Sequence, residues 1–253
     1  MARYVRFKSK DGVFYGRLEG EVIHALEGCL FGEHKDSGKT YAMSDVKLLT
    51  PTEPSKMMAV GFNYRDHAIE FHKPIPTEPN IFIKPNSCMA ADGDDVLYPK
   101  ELTTQVEYES ELVIVIGKTA RYVSEAEAMD YVFGFTIGND VTARDLQHPD
   151  NQWGVCKGFD TFGPFGPWIE TGIDGSCQDI CSLVNGEIKQ RSNTKNLIFT
   201  VPYLVSYLSK AMTLNPGDII FTGTPAGVGP VKPGDVMEMR IEGIGTLTNK
   251  VAE

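Results

Sequence analysis

The stretch Val106-Glu107-Tyr108-Glu109-Ser110-Glu111-Leu112-Val113-Ile114-Val115-Ile116-Gly117 decides how the rest of the chain is read. Its β-branched and aromatic content makes it a strand, and in a strand alternate residues face the same side. Glu107, Glu109 and Glu111 then share a face that Val113 and Val115 continue into apolar surroundings. Crowded carboxylates in such a place repel one another, so either their pKa values rise or a cation sits among them. A hard dication such as Mg2+ or Mn2+ meets that need, since it takes oxygen ligands with water completing the octahedron. Zinc or copper would ask for His or Cys, which the segment lacks. The plain alternative is an edge strand with its glutamates in water.

Working outward, Val132 to Ile137 reads as a strand that ends in Gly138-Asn139-Asp140-Val141-Thr142-Ala143-Arg144-Asp145-Leu146-Gln147. Strand ends present side chains to clefts. Asp140 supplies a third carboxylate there, and Arg144 and Gln147 suit a carboxylate or carbonyl substrate. The competing reading makes Asp140 a helix cap and Arg144 and Asp145 surface charges. Lys157, in Lys157-Gly158-Phe159-Asp160-Thr161-Phe162-Gly163-Pro164, is either a cation for developing enolate charge or an ordinary loop lysine. Thr222-Gly223-Thr224-Pro225-Ala226-Gly227-Val228-Gly229-Pro230 follows a strand at Asp218 to Phe221, and its small residues let a ligand approach the backbone or simply end the strand. Upstream, a strand at Met57 to Val60 leads into a helical segment, Asn63 to Phe71, where His67 and Glu70 are spaced to share a face.

The 253 residues begin with short strands at Tyr4 to Phe7, Val13 to Leu18 and Val22 to Ala25, and a Pro-punctuated connection at Leu49 to Pro54 marks a boundary. We therefore expect a small N-terminal β domain over residues 1–52 and a catalytic domain over 53–253. Helical pattern returns at Ser124 to Tyr131, with Ser124 and Glu127 spaced as a capping box, and at Thr200 to Lys210. Strands and helices do not alternate in the doubly wound manner, so the expected fold is β-rich α+β.

A net charge of -10 argues against nucleic acid or an anionic membrane surface as partner. No apolar run reaches the roughly 18 to 20 residues of a membrane span, and the first residues lack the apolar core of a signal peptide, which points to the cytoplasm. Five cysteines without a Cys-x-x-Cys pair read as free, buried thiols, although Cys177 and Cys181 are close enough in sequence to pair. Gly38-Lys39-Thr40 lacks the first glycine of a phosphate-binding loop, and Gly227-Val228-Gly229 lacks the third glycine of a dinucleotide fingerprint. No Gly-x-Ser-x-Gly elbow supports a metal-free esterase.

In order along the chain, Gly61-Phe62-Asn63-Tyr64-x-x-His67-x-x-Glu70, Tyr108-Glu109-x-Glu111-Leu112, Asn139-Asp140-Val141-Thr142-Ala143-Arg144-Asp145-x-Gln147, Lys157-Gly158-Phe159-Asp160 and Thr222-Gly223-Thr224-Pro225-x-Gly227-Val228-Gly229 resemble the fumarylacetoacetate hydrolase family. The match covers about residues 57 to 240. The resemblance implies a mixed β-sandwich roll, a homodimer, Mg2+ or Mn2+ on Glu109, Glu111 and Asp140, and Glu107 as a bystander. It implies His67 and Glu70 as a water-activating pair, Lys157 at the reacting oxygen, and Arg144, Gln147 and Thr224 on the oxo-acid end of a small 2-oxo acid substrate. The activity implied is hydrolysis of a carbon-carbon bond in a 2,4-dioxo acid of the acylpyruvate or fumarylacetoacetate type, through an enolate stabilised by the ion. The same site would serve oxaloacetate decarboxylation, 5-carboxymethyl-2-hydroxymuconate isomerisation or oxo-acid hydration, and without catalysis it would be a dicarboxylate-binding module. Acylpyruvate-cleaving relatives often carry a basic residue where this chain has Phe62, and the N-terminal region is shorter than in fumarylacetoacetases proper.

Overall fold

The computed structural model describes residues 2–148 and 152–253. Among them, strands dominate and two α-helices occur, Arg65–Glu70 and Val201–Ala211. The fold is β-rich α+β. Its largest sheet has twelve strands and runs from His34–Ala42 at one edge through Arg3–Ser9, Gly163–Glu170, Val132–Asn139, Ser110–Ile116, Ile219–Phe221 and Met57–Gly61 to Asn80–Lys84 at the other. Ile219–Phe221 pairs in parallel with Met57–Gly61 while most neighbours are antiparallel, so the sheet is mixed. A five-stranded sheet, containing Asp179–Val184, Val236–Ile241 and Gly245–Ala252, packs against its middle.

The core lies between these layers. Leu112, Ile114, Ile137 and Phe165 of the large sheet join Ile180, Met237, Met239 and Leu247 of the smaller one in a single buried cluster. Burial on both faces explains why Ser110–Ile116 is buried at every position instead of alternating. The N-terminal strands keep a separate small core of Val5, Phe7, Leu18, Ile23 and Ala25. Their sheet is nevertheless continuous with the rest, because Arg3 and Tyr4 pair with Glu170 and Ile169.

Several local expectations change. The strand anticipated over Val106 to Ile116 is two strands, Val106–Tyr108 and Ser110–Ile116, interrupted at Glu109. The first belongs to a three-stranded sheet with Thr142–Ala143 and Gly229–Val231, and the second to the large sheet, so the chain changes sheet at the central glutamate. Ser124 starts a 3-10 helix, Glu125–Tyr131, and its hydroxyl donates to the Glu127 carboxylate at 2.5 Å in place of the backbone contact of a capping box. Thr200 does cap its helix, accepting the Tyr203 N–H at 3.4 Å. All five cysteines are free, but only Cys88 and Cys156 are buried, while Cys29 and Cys177 are exposed. No helix among the described residues is long and apolar enough to cross a membrane.

Candidate active site

The sheet change at Glu109 gathers the carboxylates. Glu111 sits near the start of Ser110–Ile116 and pairs across the sheet with Gly138, two residues before Asp140. The Asp140 N–H donates to the Glu109 carbonyl at 2.9 Å, closing the turn. Glu109, Glu111 and Asp140, all buried, each bring an oxygen within 4.8 Å of the other two. Glu107 falls outside this group: it accepts Arg144 Nε at 2.6 Å and Gln105 Nε2 at 2.6 Å.

Three buried or half-buried cations surround the cluster. Lys157 Nζ donates to Glu109 Oε2 at 2.7 Å and to Asp140 Oδ2 at 2.6 Å. Arg144 Nη2 donates to Glu109 Oε1 at 2.5 Å and its Nη1 to Gln147 Oε1 at 2.6 Å. Lys84 Nζ donates to Asp140 Oδ1 at 2.6 Å and also to the Lys157 carbonyl. Burial alone would push the Glu109 carboxyl up, but Lys157 and Arg144 outweigh it and hold it down at about 2. The Lys157 ammonium is pushed down by burial and more strongly up by Asp140 and Glu109, with a net rise.

Glu111 is the exception. It is 1% exposed, and among the described residues its carboxylate has one hydrogen bond, from the Gly223 N–H at 2.7 Å. Burial, then Asp140 and Glu109, push its pKa well up. A buried carboxylate beside two others, with one oxygen free, is the donor chemistry a hard dication satisfies, so these residues fit Mg2+ or Mn2+. The buried Tyr64 hydroxyl has no hydrogen-bond partner among the described residues, and burial, then the Glu111 charge, raise its pKa.

The base pair arrives from a different element. Asn63, fully buried, ties the turn before Arg65–Glu70 to two distant segments: its amide nitrogen donates to the Phe199 carbonyl at 3.0 Å and the Thr222 carbonyl at 2.7 Å, and its oxygen accepts the Phe199 N–H at 2.7 Å. Phe62 adopts a left-handed backbone, φ 55°, unusual for a side chain of its size, and its ring stacks on His67 at 5.4 Å. His67 Nδ1 lies 3.0 Å from Glu70 Oε2, and the Gly227 N–H donates to Glu70 Oε1 at 2.9 Å. Burial tends to raise the Glu70 carboxyl, but the hydrogen bonds from His67 and Gly227 lower it further than burial raises it. Glycines 223 and 227, at φ 98° and 100°, thus present backbone N–H groups to the chain's own carboxylates.

One cleft holds His67, Glu109, Glu111, Asp140, Arg144 and Lys157, with Gln147 and Thr224 also in its wall. Val60, Gly61, Phe62 and Trp153 make the apolar side, and Gly61 is required because a Cβ there would come within 2.5 Å of the Trp153 ring. The Thr224 hydroxyl is already engaged, donating to the Ser110 carbonyl at 2.8 Å and accepting Gln190 Nε2 at 2.8 Å. Lys84 was not singled out from sequence. No local signal marks it: alternation in Asn80–Lys84 puts Ile81 and Ile83 on one face and Lys84 on the other, yet in the structure Phe82 and Lys84 are buried and Ile83 is exposed.

Residues 56–252 match the family description Fumarylacetoacetate (FAA) hydrolase C-terminal, and residues 2–51 match Rv2993c-like, N-terminal. A 2,4-didehydro-3-deoxy-L-rhamnonate hydrolase from Sphingomonas sp. is 46% identical, covering 78% of this chain and 73% of its own length. A mitochondrial oxaloacetate tautomerase from Bos taurus is 44% identical over 82% of this chain and 70% of its own. The crystal structure of a 2-hydroxyhepta-2,4-diene-1,7-dioate isomerase from Mycobacterium marinum superposes with a TM-score of 0.93 at 42% identity, covering 100% of this chain and 98% of that one. Relatives of this similarity thus carry hydrolase, tautomerase and isomerase names on one scaffold, and the chain belongs to the fumarylacetoacetate hydrolase family.

Proposed function

We propose that the protein is a Mg2+- or Mn2+-dependent hydrolase that cleaves a carbon-carbon bond in a small 2,4-dioxo acid. The observation that carries this reading is that His67, backed by Glu70 at 3.0 Å, lines the same cleft as the buried Glu109, Glu111 and Asp140 cluster. Glu109, Glu111 and Asp140 would hold the ion, which supplies Lewis-acid polarisation of the substrate's carboxylate and adjacent keto oxygen.

With Nδ1–H donated to Glu70, His67 keeps the lone pair of Nε2 free to take a proton from water. That water adds to the distal carbonyl, C4. The C3–C4 bond then breaks with its electron pair moving to C3, so C4 leaves as a carboxylic acid and C3 gains a proton to give pyruvate. The Lys157 ammonium, buried beside Glu109 and Asp140, would donate a hydrogen bond to the oxygen on which charge develops. Gln147, whose oxygen is occupied by Arg144, would offer its amide N–H groups to the substrate. Arg144 would act mainly by holding Glu109, and Thr224 by shaping the wall. The aromatic side of the cleft, Phe62 and Trp153, would exclude bulk water other than the one that His67 activates.

Residues 53–253 would carry the chemistry and residues 1–52 a smaller unit. We further take the working species to be a cytoplasmic homodimer, as is usual for the family, and light scattering of the purified protein tests the oligomeric state. The same cleft could instead decarboxylate or isomerise an oxo acid, or bind one without turnover. The discriminating experiment compares wild type with His67→Ala for oxalate binding and for turnover of acylpyruvates, oxaloacetate and a hydroxymuconate. Normal oxalate binding with lost acylpyruvate cleavage supports the hydrolase. Turnover of oxaloacetate or the muconate alone reassigns the reaction, and a wild type that binds oxalate but turns over nothing contradicts an enzyme of any of these kinds.

A further inference from the structure

Each of the three clustered carboxylates has one oxygen held by a donor other than Lys157. Glu109 Oε1 accepts Arg144 Nη2 at 2.5 Å, Glu111 Oε2 accepts the Gly223 N–H at 2.7 Å, and Asp140 Oδ1 accepts Lys84 Nζ at 2.6 Å. The oxygens opposite these are Glu109 Oε2 and Asp140 Oδ2, which share the Lys157 ammonium, and Glu111 Oε1, which has no hydrogen bond among the described residues. Two of the pinning donors belong to the cleft or the loop beside it. Lys84 does not: it reaches Asp140 from the edge strand Asn80–Lys84, is 0% exposed, and also donates to the Lys157 carbonyl. Its stem runs past Gly163, where an added Cβ would come within 3.1 Å of Lys84 Cε and 2.7 Å of Cys88 Sγ.

A lysine with no exposure is costly to bury, and replacing a whole buried ion pair by hydrophobic residues of similar volume is often neutral or stabilising, so stability alone is weak reason for this one. Its two contacts join a carboxylate of the cluster to the backbone of the residue bearing the cleft's buried ammonium. That link has a chemical consequence. A carboxylate with one oxygen pinned offers a single oxygen to an ion, whereas a free one can chelate through both. Mg2+ and Mn2+ take six ligands in a tight octahedron, and Ca2+ takes six to eight at longer distance with bidentate carboxylates among them.

We propose that Lys84 is a positioning residue that occupies one oxygen of Asp140, leaving to an ion only the oxygen shared with the Lys157 ammonium, and fixes the backbone of Lys157, so that the cluster selects a small six-coordinate dication over a larger one. The proposal rests on the metal-site part of the function given above and not on the reaction assigned there. Lys84 touches neither the cleft nor a substrate in it and acts through Asp140 and Lys157. Partners in this outer layer typically change metal affinity by about 10- to 100-fold when removed.

The test is calorimetric titration of Mg2+, Mn2+ and Ca2+ into wild type, Lys84→Met and Gly163→Ala, with melting temperatures in EDTA and in excess Mg2+. Lys84→Met keeps the shape of the stem and removes its donor. It should weaken Mg2+ and Mn2+ binding by about tenfold or more while Ca2+ binding changes less, so that the Mg2+ to Ca2+ affinity ratio falls by about tenfold. Gly163→Ala leaves every charge in place and crowds Lys84, and should move the ratio the same way by a smaller factor. It also keeps the question open to measurement if Lys84→Met does not fold. A ratio equal to wild type in every variant that folds, with only a lower melting temperature in EDTA, would overturn the proposal and make Lys84 a structural residue. A shifted ratio in a protein that cleaves no oxo acid would leave the proposal standing and remove the hydrolase. A wild type that binds no dication would remove both.

Discussion

The imidazole Nδ1 of His67 stands 3.0 Å from Oε2 of Glu70, one turn away on the six-residue helix Arg65–Glu70. The opposite oxygen of Glu70 is fixed by the Gly227 N–H, so the carboxylate cannot rotate away and the imidazole is held in one orientation. If His67 is the base, its removal should cost far more in kcat than in KM. We expect His67→Asn to lower kcat by at least about 100-fold and Glu70→Gln by about 10- to 100-fold, with oxalate binding kept within a few-fold in both. Steady-state kinetics paired with inhibitor titration checks this.

Glu70 also gives a pH signature in stability. Its pKa in the folded protein lies below the ordinary 4.5, because His67 and the Gly227 N–H outweigh burial. Between those two values the unfolded chain binds the proton more readily than the native one, so folding gains from Glu70 above 4.5 and loses that gain as pH falls through the lower folded value. The difference in melting temperature between wild type and Glu70→Gln should shrink as pH falls below the ordinary 4.5. A difference that grows on acidification would contradict the assignment.

Asn63 carries the approach to that helix. Removing its three buried hydrogen bonds in Asn63→Ala strands the Phe199 and Thr222 backbone groups, at roughly 1 kcal/mol each. A loss of about 3 kcal/mol, or about 6 to 12 °C in Tm for a chain of this size, is the expected outcome in a thermal melt. Activity should fall as well at temperatures where the variant is still folded, since His67 follows Asn63 by four residues.

Trp153 and Trp168 are the two tryptophans. Trp153 lines the cleft and packs on Gly61, Phe62 and Phe82, whereas Trp168 lies under Arg3 near the N-terminal strands. Oxalate added with Mn2+ should therefore change the intrinsic fluorescence, and Trp168→Phe should keep that change while Trp153→Phe abolishes it.

The clustered carboxylates were legible because alternation along Val106 to Gly117 already crowds them, and the His67–Glu70 pair because helical spacing is local. Glu107 shares that crowded stretch, yet it turns to Arg144 because the chain changes sheet at Glu109, which no local pattern announces. Lys84 looks like a strand-end surface lysine until the sheet order brings it to Asp140, 56 residues on. The pairing of Arg3 with Glu170 that joins the N-terminal strands to the large sheet is equally remote in sequence. Residues that Arg144 and Thr224 satisfy were expected to belong to a substrate; the structure spends much of their hydrogen bonding on the scaffold itself. Local periodicity finds the clustered carboxylates, and only long-range packing finds what holds them.

The most direct test of the account follows the enol absorbance of an acylpyruvate while pyruvate is assayed in the same cuvette, in Mg2+, in Mn2+ and in EDTA. The account requires metal-dependent loss of absorbance with one pyruvate formed per acylpyruvate consumed, abolished by EDTA and by Asp140→Asn. Equal turnover in EDTA, or loss of absorbance without pyruvate, would contradict it.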